Sequence, residues 1–545
     1  MFDISAQDGG GKLSPGRTRS IFIAGFIAGV AALAFNFLLR LGSLTAFPPE
    51  SALSAFLGIV PASIEEPMVQ QFGDLAGQLG LLVATAIAAL VYGAFAVVYD
   101  KYVSARLRRV SPFEGLLAFS LVPWLIFGLI LFPVDGDSLF GITSGFAPSS
   151  ATTLFPLAFL LVQAVFALAL SPRYALTASG PQAPRPNASR RGLIEKSAIG
   201  LLAVIAGIMS LGGLGSVFSS QIQPTGGSQP IDLQDAPPIF SDPRLQTLVD
   251  SEITPNGSFY RVAIDIIDPS VDVTGWSLAL NGLVGSPKTY SYADVQSLTQ
   301  TTLYNTFECV SNEIDGNLIS TAKWTGVKLS DLLQDAGGTQ SGAAYVVFYS
   351  VDGYSVGIPL AKALMPDSMV AFQMNDQPLP TAHGYPLRAV IPGLYGMMSA
   401  KWVKQISILD SSYSGYWQTR GWSNVGTVNP VTFITTPQSG SQASLRGNGG
   451  SLVIAGYAYA GDKGVSKVEV SFDDGKTWQE AQIKNPLSTT TWILWAYEWQ
   501  PTSLGETFVY ARVTDGTGQT QTSTISDTFP NGATGYAYVV FHLVS

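Results

Sequence analysis

Cysteine, histidine and charge are all scarce in this chain. Its 545 residues hold one cysteine, two histidines and 12% charged side chains. The single cysteine, Cys309, excludes an intramolecular disulfide, CxxC zinc pairs and CxxCH haem attachment. Both histidines, His383 and His542, lie in the second half, so the apolar first half holds no haem on histidine axial ligands. No basic tract is present and the formal net charge is -9, which argues against a nucleic-acid partner, because phosphate contacts need concentrated positive charge. The charge is also unevenly spread. Through Gly215 there are 13 Lys/Arg against 11 Asp/Glu, a balance of +2; from Ser216 onward there are 16 against 27, a balance of -11.

Long apolar runs fill the first half. They fall at about 20–41, 79–99, 113–133, 152–171 and 197–218, each near the ~20 residues a helix needs to cross hydrocarbon. A shorter run, SALSAFLGIV from Ser51, is too brief to cross and reads as an interfacial or re-entrant piece. No Asp, Glu or Lys sits mid-run, so the bundle reads as an anchor in membrane lipid rather than a transport path. Loop charges set its orientation, because Lys and Arg stay on the cytoplasmic side. Lys12, Arg17 and Arg19 precede the first run, Lys101, Arg106, Arg108 and Arg109 follow the second, and Arg173, Arg185, Arg190, Arg191 and Lys196 precede the fifth. The intervening loops carry acidic residues alone. The expectation is a five-helix multi-pass anchor over 1–218 with a cytoplasmic N-terminus, and the rest of the chain on the outer (periplasmic or extracellular) face. The stretch ASRRGLIEKSAIGLLAVIAG, with Arg190 and Arg191 adjacent, also resembles a twin-arginine signal that exports folded domains. The positive-inside rule alone would place two arginines there as well.

Residues 219–254, with TGGSQPIDLQDAPPIFSDP, read as linker and lead-in. Beyond them WSLALNGLV, AAYVVFYS and WVKQISIL predict strands, with short helices at YADVQSL and KLSDLLQDAG, which gives an α+β domain over 255–428. From about residue 430 the helix signals stop. The runs SLVIAGYAYA, SKVEVSF, TWILWAYEW and TFVYARVTD predict an all-β, immunoglobulin-like sandwich over 429–545.

The order TFECVSN, WTGVKLSDLL, DGYSVGIPLAKAL, AFQMNDQPLPTAHGYPLRAVIPGLYGMMSAKWV and VSKVEVSFDDGKTW resembles the molybdopterin-dependent oxidoreductases of the sulfite oxidase family, from about Phe259 to the C-terminus. The resemblance implies a molybdopterin domain followed by the sandwich, and Mo-molybdopterin, with one pyranopterin dithiolene, as cofactor. It implies Cys309 as the metal ligand, where a soft thiolate suits a soft metal. It implies His383 and Arg388 of HGYPLR, Ser399 and Lys401 of SAKW, Asn256, Tyr260 and Arg261 of NGSFYR, and Ser350 of YVVFYS as cofactor contacts. Tyr416 and Trp417 of SGYWQTRGW lie where the family closes its substrate pocket. A lone buried cysteine is otherwise more often inert, and the ordered motifs are what raise the ligand reading.

One segment departs from the family. Sulfite oxidases follow the metal cysteine with an arginine-bearing stretch, whereas here VSNEIDG brings Glu313 and Asp315. If these carboxylates face the pocket they repel sulfite and favour a neutral sulfoxide-type substrate, with Arg420 the available cation. The expected function is two-electron oxygen-atom transfer on a small molecule such as sulfite or a sulfoxide. Electrons then pass to or from a separate carrier or membrane partner, and the sandwich offers a homodimer contact. The alternative is a non-catalytic surface protein built on the same fold.

Overall fold

The computed structural model describes residues 15–41, 47–57, 74–103, 161–163, 165–167, 252–264, 268–445 and 450–545. The described residues fall into two units, one holding the N-terminal helices apart from residues 74–76 and the other holding those three residues and everything from Glu252 onward.

In the first unit, helices α1 (Pro15–Leu41), α2 (Pro48–Leu57) and α3 (Asp74–Val98) are present. Two helical stretches, Thr18–Arg40 and Leu79–Lys101, are long and apolar enough to cross a membrane, and they match the first two predicted spans. The third and fifth predicted spans lie outside the described residues, as do Arg190 and Arg191; of the fourth, 161–163 and 165–167 are described and helical. Among the described residues, therefore, two helices and not five are long and apolar enough to cross a membrane. The short run from Ser51 contributes to α2, whose Glu50 pairs with Arg40 at 2.9 Å, both side chains buried. Arg40 also sits in the last turn of α1, where a cation complements the helix dipole.

In the second unit, strands β1 (Ser277–Gly282), β2 (Lys288–Ser291), β3 (Gln300–Glu308), β4 (Ile319–Lys328), β5 (Tyr345–Ser350), β6 (Ser355–Pro359), β7 (Met369–Met374), β8 (Gln377–Pro378), β9 (Arg388–Val390) and β10 (Val403–Leu409) form two sheets. Their orders are β2-β1-β10-β5-β6 and β3-β4-β7-β8, with β9 added on β7. Both predicted helices form. The YADVQS turn is closed by a capping box, in which Ser291 Oγ accepts from the Asp294 N–H while Asp294 accepts from the Ser291 N–H. In LSDLLQD, Leu329, Leu332 and Leu333 fall on one face and are buried between the sheets. The second sheet is covered on both faces. Val370 and Phe372 of β7 face the main core, whereas Met369 and Ala371 face a second cluster that Phe259 joins.

The remaining strands are β11 (Val431–Thr436), β12 (Gln442–Ser444), β13 (Leu452–Tyr459), β14 (Val465–Ser471), β15 (Gln479–Glu480), β16 (Gln482–Ile483), β17 (Ile493–Trp499), β18 (Gly505–Asp515) and β19 (Ala537–Val544). They form a β-sandwich of sheets β11-β13-β17-β16 and β12-β19-β18-β14-β15, which bury Ile454, Ile493 and Trp495 against Val470, Val509 and Phe541.

Strand β3 would be an exposed edge, but the sandwich covers it. The Thr306 N–H donates to Thr490 O (3.1 Å), the Trp492 N–H to Thr306 Oγ1 (2.8 Å), and Tyr459 Oη to Thr306 O (2.8 Å). That coverage removes the alternation expected of an edge strand, since Thr306, Phe307 and Glu308 are all buried. The lead-in is pinned at the same junction. Lys484 pairs with Glu252, both fully buried, and the Trp492 indole N–H donates to Glu252 O at 2.9 Å.

Candidate active site

The residue after β3 is Cys309, buried at the floor of an open cleft that encloses about 890 Å³ with the solvent at its mouth. The loop beyond it is fixed by Asn312, whose Oδ1 accepts from the Leu318 N–H (2.9 Å) and whose Nδ2 donates to Glu308 Oε1 (3.0 Å). Burial pushes the Cys309 thiol up to about 11, opposed by donation from the Ser311 backbone and hydroxyl and supplemented by the neighbouring Glu308 carboxyl. Glu308 is itself pushed up to about 8 by burial, with the Asn312 amide opposing. The thiolate is thus costly in the bare protein, and a metal that deprotonates the thiol removes the cost.

One wall comes from 260–264 and from 381–402. Tyr260, Arg261, His383, Arg388, Ser399 and Lys401, six of the residues the sequence motifs point to, all line it. The motif glycine has a physical role here. Gly384 has φ +114, and a Cβ would lie 3.1 Å from the Lys401 Cα, so the two motifs can pack only through glycine. Next to Lys401, the fully buried Trp402 has φ +50, a backbone state that costs on the order of 1–3 kcal/mol and concentrates at functional sites. Its indole N–H is tied to Thr381 O at 2.8 Å.

The charges on this wall are compensated to different degrees. Arg261 pairs with Asp268 at 2.6 Å. His383 is held neutral: burial, then the Arg388, Lys401 and Arg261 charges, pull it down to about 3, against the hydrogen bond to Asn256 O. Arg388 is the least satisfied. Its guanidinium lies over the rings of Phe307 (4.6 Å) and Trp324 (5.3 Å) and donates to His383 O (3.1 Å), yet its Nε is buried without a partner. Cation–π contacts return about 2 kcal/mol when desolvated, less than the several kcal/mol that burying an ion costs. Burial accordingly pulls Arg388 down to about 10, where it is still charged at neutral pH. A buried, under-satisfied guanidinium beside Lys401 fits an anionic group such as the cofactor phosphate.

The rest of the lining holds no cation, and besides the acid Asp352 it is mostly apolar. Its other side chains come from Val310, Ser311, Tyr354, Met397, Trp417 and Trp422. Trp417 and Trp422 share a turn closed by the Trp422 N–H on Trp417 O (3.2 Å), with Gly421 at φ +98 between them. Phe529 of the sandwich packs edge-on against Trp422 at 5.1 Å.

Four candidates fall outside the lining. Asn256 spends its side chain on Met374 O and on Asn375. Ser350 is buried in β5, Tyr416 packs behind Trp417, and Arg420 stacks over the Tyr416 ring at 3.5 Å and donates to Tyr416 O. Glu313 and Asp315 are exposed and do not line the cleft; Asp315 accepts from the Tyr538 backbone. Missed by sequence reasoning were Ser311, Asp352, Tyr354, Met397 and Trp422. Asp352, in the VDGY turn, is pushed up to about 6 by burial, with the Tyr354 N–H and Lys401 opposing. Trp422 stood within the quoted SGYWQTRGW, so proximity to Trp417 was the available signal.

A family model described as an oxidoreductase molybdopterin binding domain matches residues 265–417, and one described as a Mo-co oxidoreductase dimerisation domain matches residues 424–528. The mitochondrial sulfite oxidase of Rattus norvegicus is 31% identical over 305 residues, 47% of this chain and 55% of that protein. The uncharacterized oxidoreductase YuiH of Bacillus subtilis (strain 168) is 33% identical over 153 residues, 28% of this chain and 74% of that protein. Among solved structures, the sulfane dehydrogenase SoxCD of Paracoccus pantotrophus matches at 25% identity with a TM-score of 0.44, covering 50% of this chain and 75% of that one. The chain spans about half the length of the mammalian sulfite oxidases it matches. With the cysteine, the cationic wall and the two matched domains in one order, the chain belongs to the molybdopterin-dependent oxidoreductases of the sulfite oxidase family.

Proposed function

We propose that this protein is a membrane-anchored, extracytoplasmic molybdenum-cofactor oxidoreductase that moves one oxygen atom and two electrons to or from a small substrate such as sulfite or a sulfoxide. The observation that carries the reading is Cys309 at the floor of a cleft walled on one side by Arg261, Arg388 and Lys401. The bound cofactor supplies a metal centre that exchanges an oxygen atom as it takes up or gives two electrons. Cys309 is the protein ligand, and the Ser311 donors stabilise its sulfur as a thiolate. Arg388 and Lys401 hold the phosphate, neutral His383 and Tyr260 offer hydrogen bonds to the ring system, and Ser399 keeps the wall in place through the Ile391 N–H. Asn256 O holds the His383 ring, and Ser350 sits beside the cleft with its N–H on Tyr354 O.

The organisation that goes with this reading is a five-span anchor over 1–218 with the N-terminus inside, and a linker over 219–254. The molybdopterin domain over 255–428 and an immunoglobulin-like sandwich over 429–545 then stand on the outer face, exported folded through the Arg190-Arg191 signal. A separate carrier or membrane partner handles the electrons, and the sandwich joins two copies. The test is to express the full chain in a host that makes molybdopterin and to measure bound molybdenum and pterin. A chain without either ends the proposal. Cys309→Ser should keep its melting temperature and lose turnover by more than the roughly 10–100-fold typical of losing an outer partner of a metal ligand; unchanged turnover contradicts the ligand assignment.

A further inference from the structure

The charge inventory of the cleft narrows its substrate. Every cation that lines it stands on the wall built from 260–264 and from 381–402, and in the reading above Arg388 and Lys401 are taken by the cofactor phosphate while Arg261 is answered by Asp268. The rest of the lining beside the thiol, from Val310 and Ser311 through Tyr354 and Met397 to Trp417 and Trp422, has no cationic side chain, and the other ionisable side chain near Tyr354 is an acid, Asp352. Its polar capacity is low as well. The Tyr354 hydroxyl is committed to Met397 O, and the Ser311 donors are directed to the cysteine sulfur. Arg420, the one basic residue of the SGYWQTRGW segment, lies on the Tyr416 ring outside the lining. The ionisable neighbour of the thiol is instead an acid, Glu308, which burial keeps largely protonated, so it offers no counter-charge to an anion either. An oxyanion brought to this side would lose its hydration and gain no counter-charge, which costs several kcal/mol per ion.

The same wall suits apolar surface. Trp422 is 5% exposed and held by Phe529 at 5.1 Å, while Trp417 is braced by Tyr416 at 5.0 Å, so the two indoles form a fixed face rather than a mobile lid. We infer that the substrate is neutral and carries at least one apolar arm that lies against Trp417 and Trp422, as a sulfoxide or thioether does, rather than a sulfur oxyanion. The inference rests on the oxygen-transfer reading and specifies its substrate class. In the reductive direction the S=O bond breaks, sulfur gains two electrons from an external one-electron carrier acting twice, and the oxygen leaves as water with two protons. The oxidative direction takes the oxygen from water and releases two electrons to an oxidised carrier and two protons.

The test uses the full-length chain in detergent, with molybdenum content measured first. Sulfite and dimethyl sulfide are offered with an oxidised dye, and dimethyl sulfoxide and methyl phenyl sulfoxide with a reduced viologen. Methyl phenyl sulfoxide should exceed dimethyl sulfoxide in kcat/KM by roughly 10–200-fold, the range expected for a better-filled apolar pocket, and dimethyl sulfide should exceed sulfite. Trp417→Leu should shrink the phenyl-over-methyl ratio by about tenfold, through KM, and leave molybdenum content unchanged. A molybdenum-loaded chain that prefers sulfite, or that ignores the size of the arm, overturns the inference and leaves the oxidoreductase reading standing. A chain that binds no molybdenum fails that reading, and the inference falls with it.

Discussion

The two walls of the cleft differ in what they ask of a ligand. The wall from 260–264 and 381–402 carries buried charge that its own neighbours satisfy only in part, down to an Arg388 Nε without a partner. The wall from 310, 354, 397, 417 and 422 is already satisfied, with Tyr354 bonded to Met397 and the indoles braced by aromatic rings. Unsatisfied charge marks where an obligatory anionic group is held, whereas satisfied apolar surface marks where a transient molecule binds and leaves.

The sharpest way to break this contrast is Arg388→Met. If the guanidinium waits for an anion, the substitution raises the stability of the cofactor-free protein by about 1–4 kcal/mol, because a buried unpaired charge is replaced by apolar volume. It weakens cofactor retention by about tenfold or more. Thermal melting of the apo form and the rate of pterin release on dialysis check the two halves; a loss of stability in both forms would mean that Arg388 is paid for internally.

The next effect is on pH. Burial and the neighbouring cations hold His383 near 3 in the folded protein, below its ordinary 6.5. The unfolded chain therefore binds the extra proton between those values, and the cofactor-free protein loses stability as pH falls from 6.5 toward 3, at up to about 1.4 kcal/mol per pH unit. His383→Gln should flatten that slope in denaturant titrations. The smallest effect belongs to Glu313 and Asp315. Glu313→Gln with Asp315→Asn should change inhibition by sulfate less than about twofold, because exposed charges outside the lining are screened. A tenfold gain would return these carboxylates to the pocket.

The cationic wall was legible because its residues come in short motifs whose order is distinctive, HGYPLR and SAKW above all, and because Gly384 ties the two together. The helices expected at YADVQSL and KLSDLLQDAG form, the first closed by a capping box and the second burying Leu329, Leu332 and Leu333. Arg420 was offered as a substrate cation on charge alone, yet the ring of Tyr416, four residues away, offers its guanidinium a nearer partner than the pocket does. Asn256 likewise satisfies its amide on β7 and on the residues that follow it. Contacts that cross the domains left no local trace. Nothing near Thr306 announces that residues 490–492 will cover its strand, and nothing near Trp422 announces Phe529. Hydropathy alone located the two long apolar helices, since a run of about 20 apolar residues needs no tertiary context to be recognised.

The covered edge of β3 has a consequence for how the molecule is made. The strand that leads into Cys309 leaves the ribosome well before Tyr459, Thr490 and Trp492, which complete it, and Glu252 likewise precedes Lys484. Until the final domain exists, the nascent chain presents an open β-edge and an unpaired acid at the place where the metal ligand must be set. Cofactor insertion is therefore an event for the finished chain, and any truncation within the sandwich turns a cofactor site into a sticky strand.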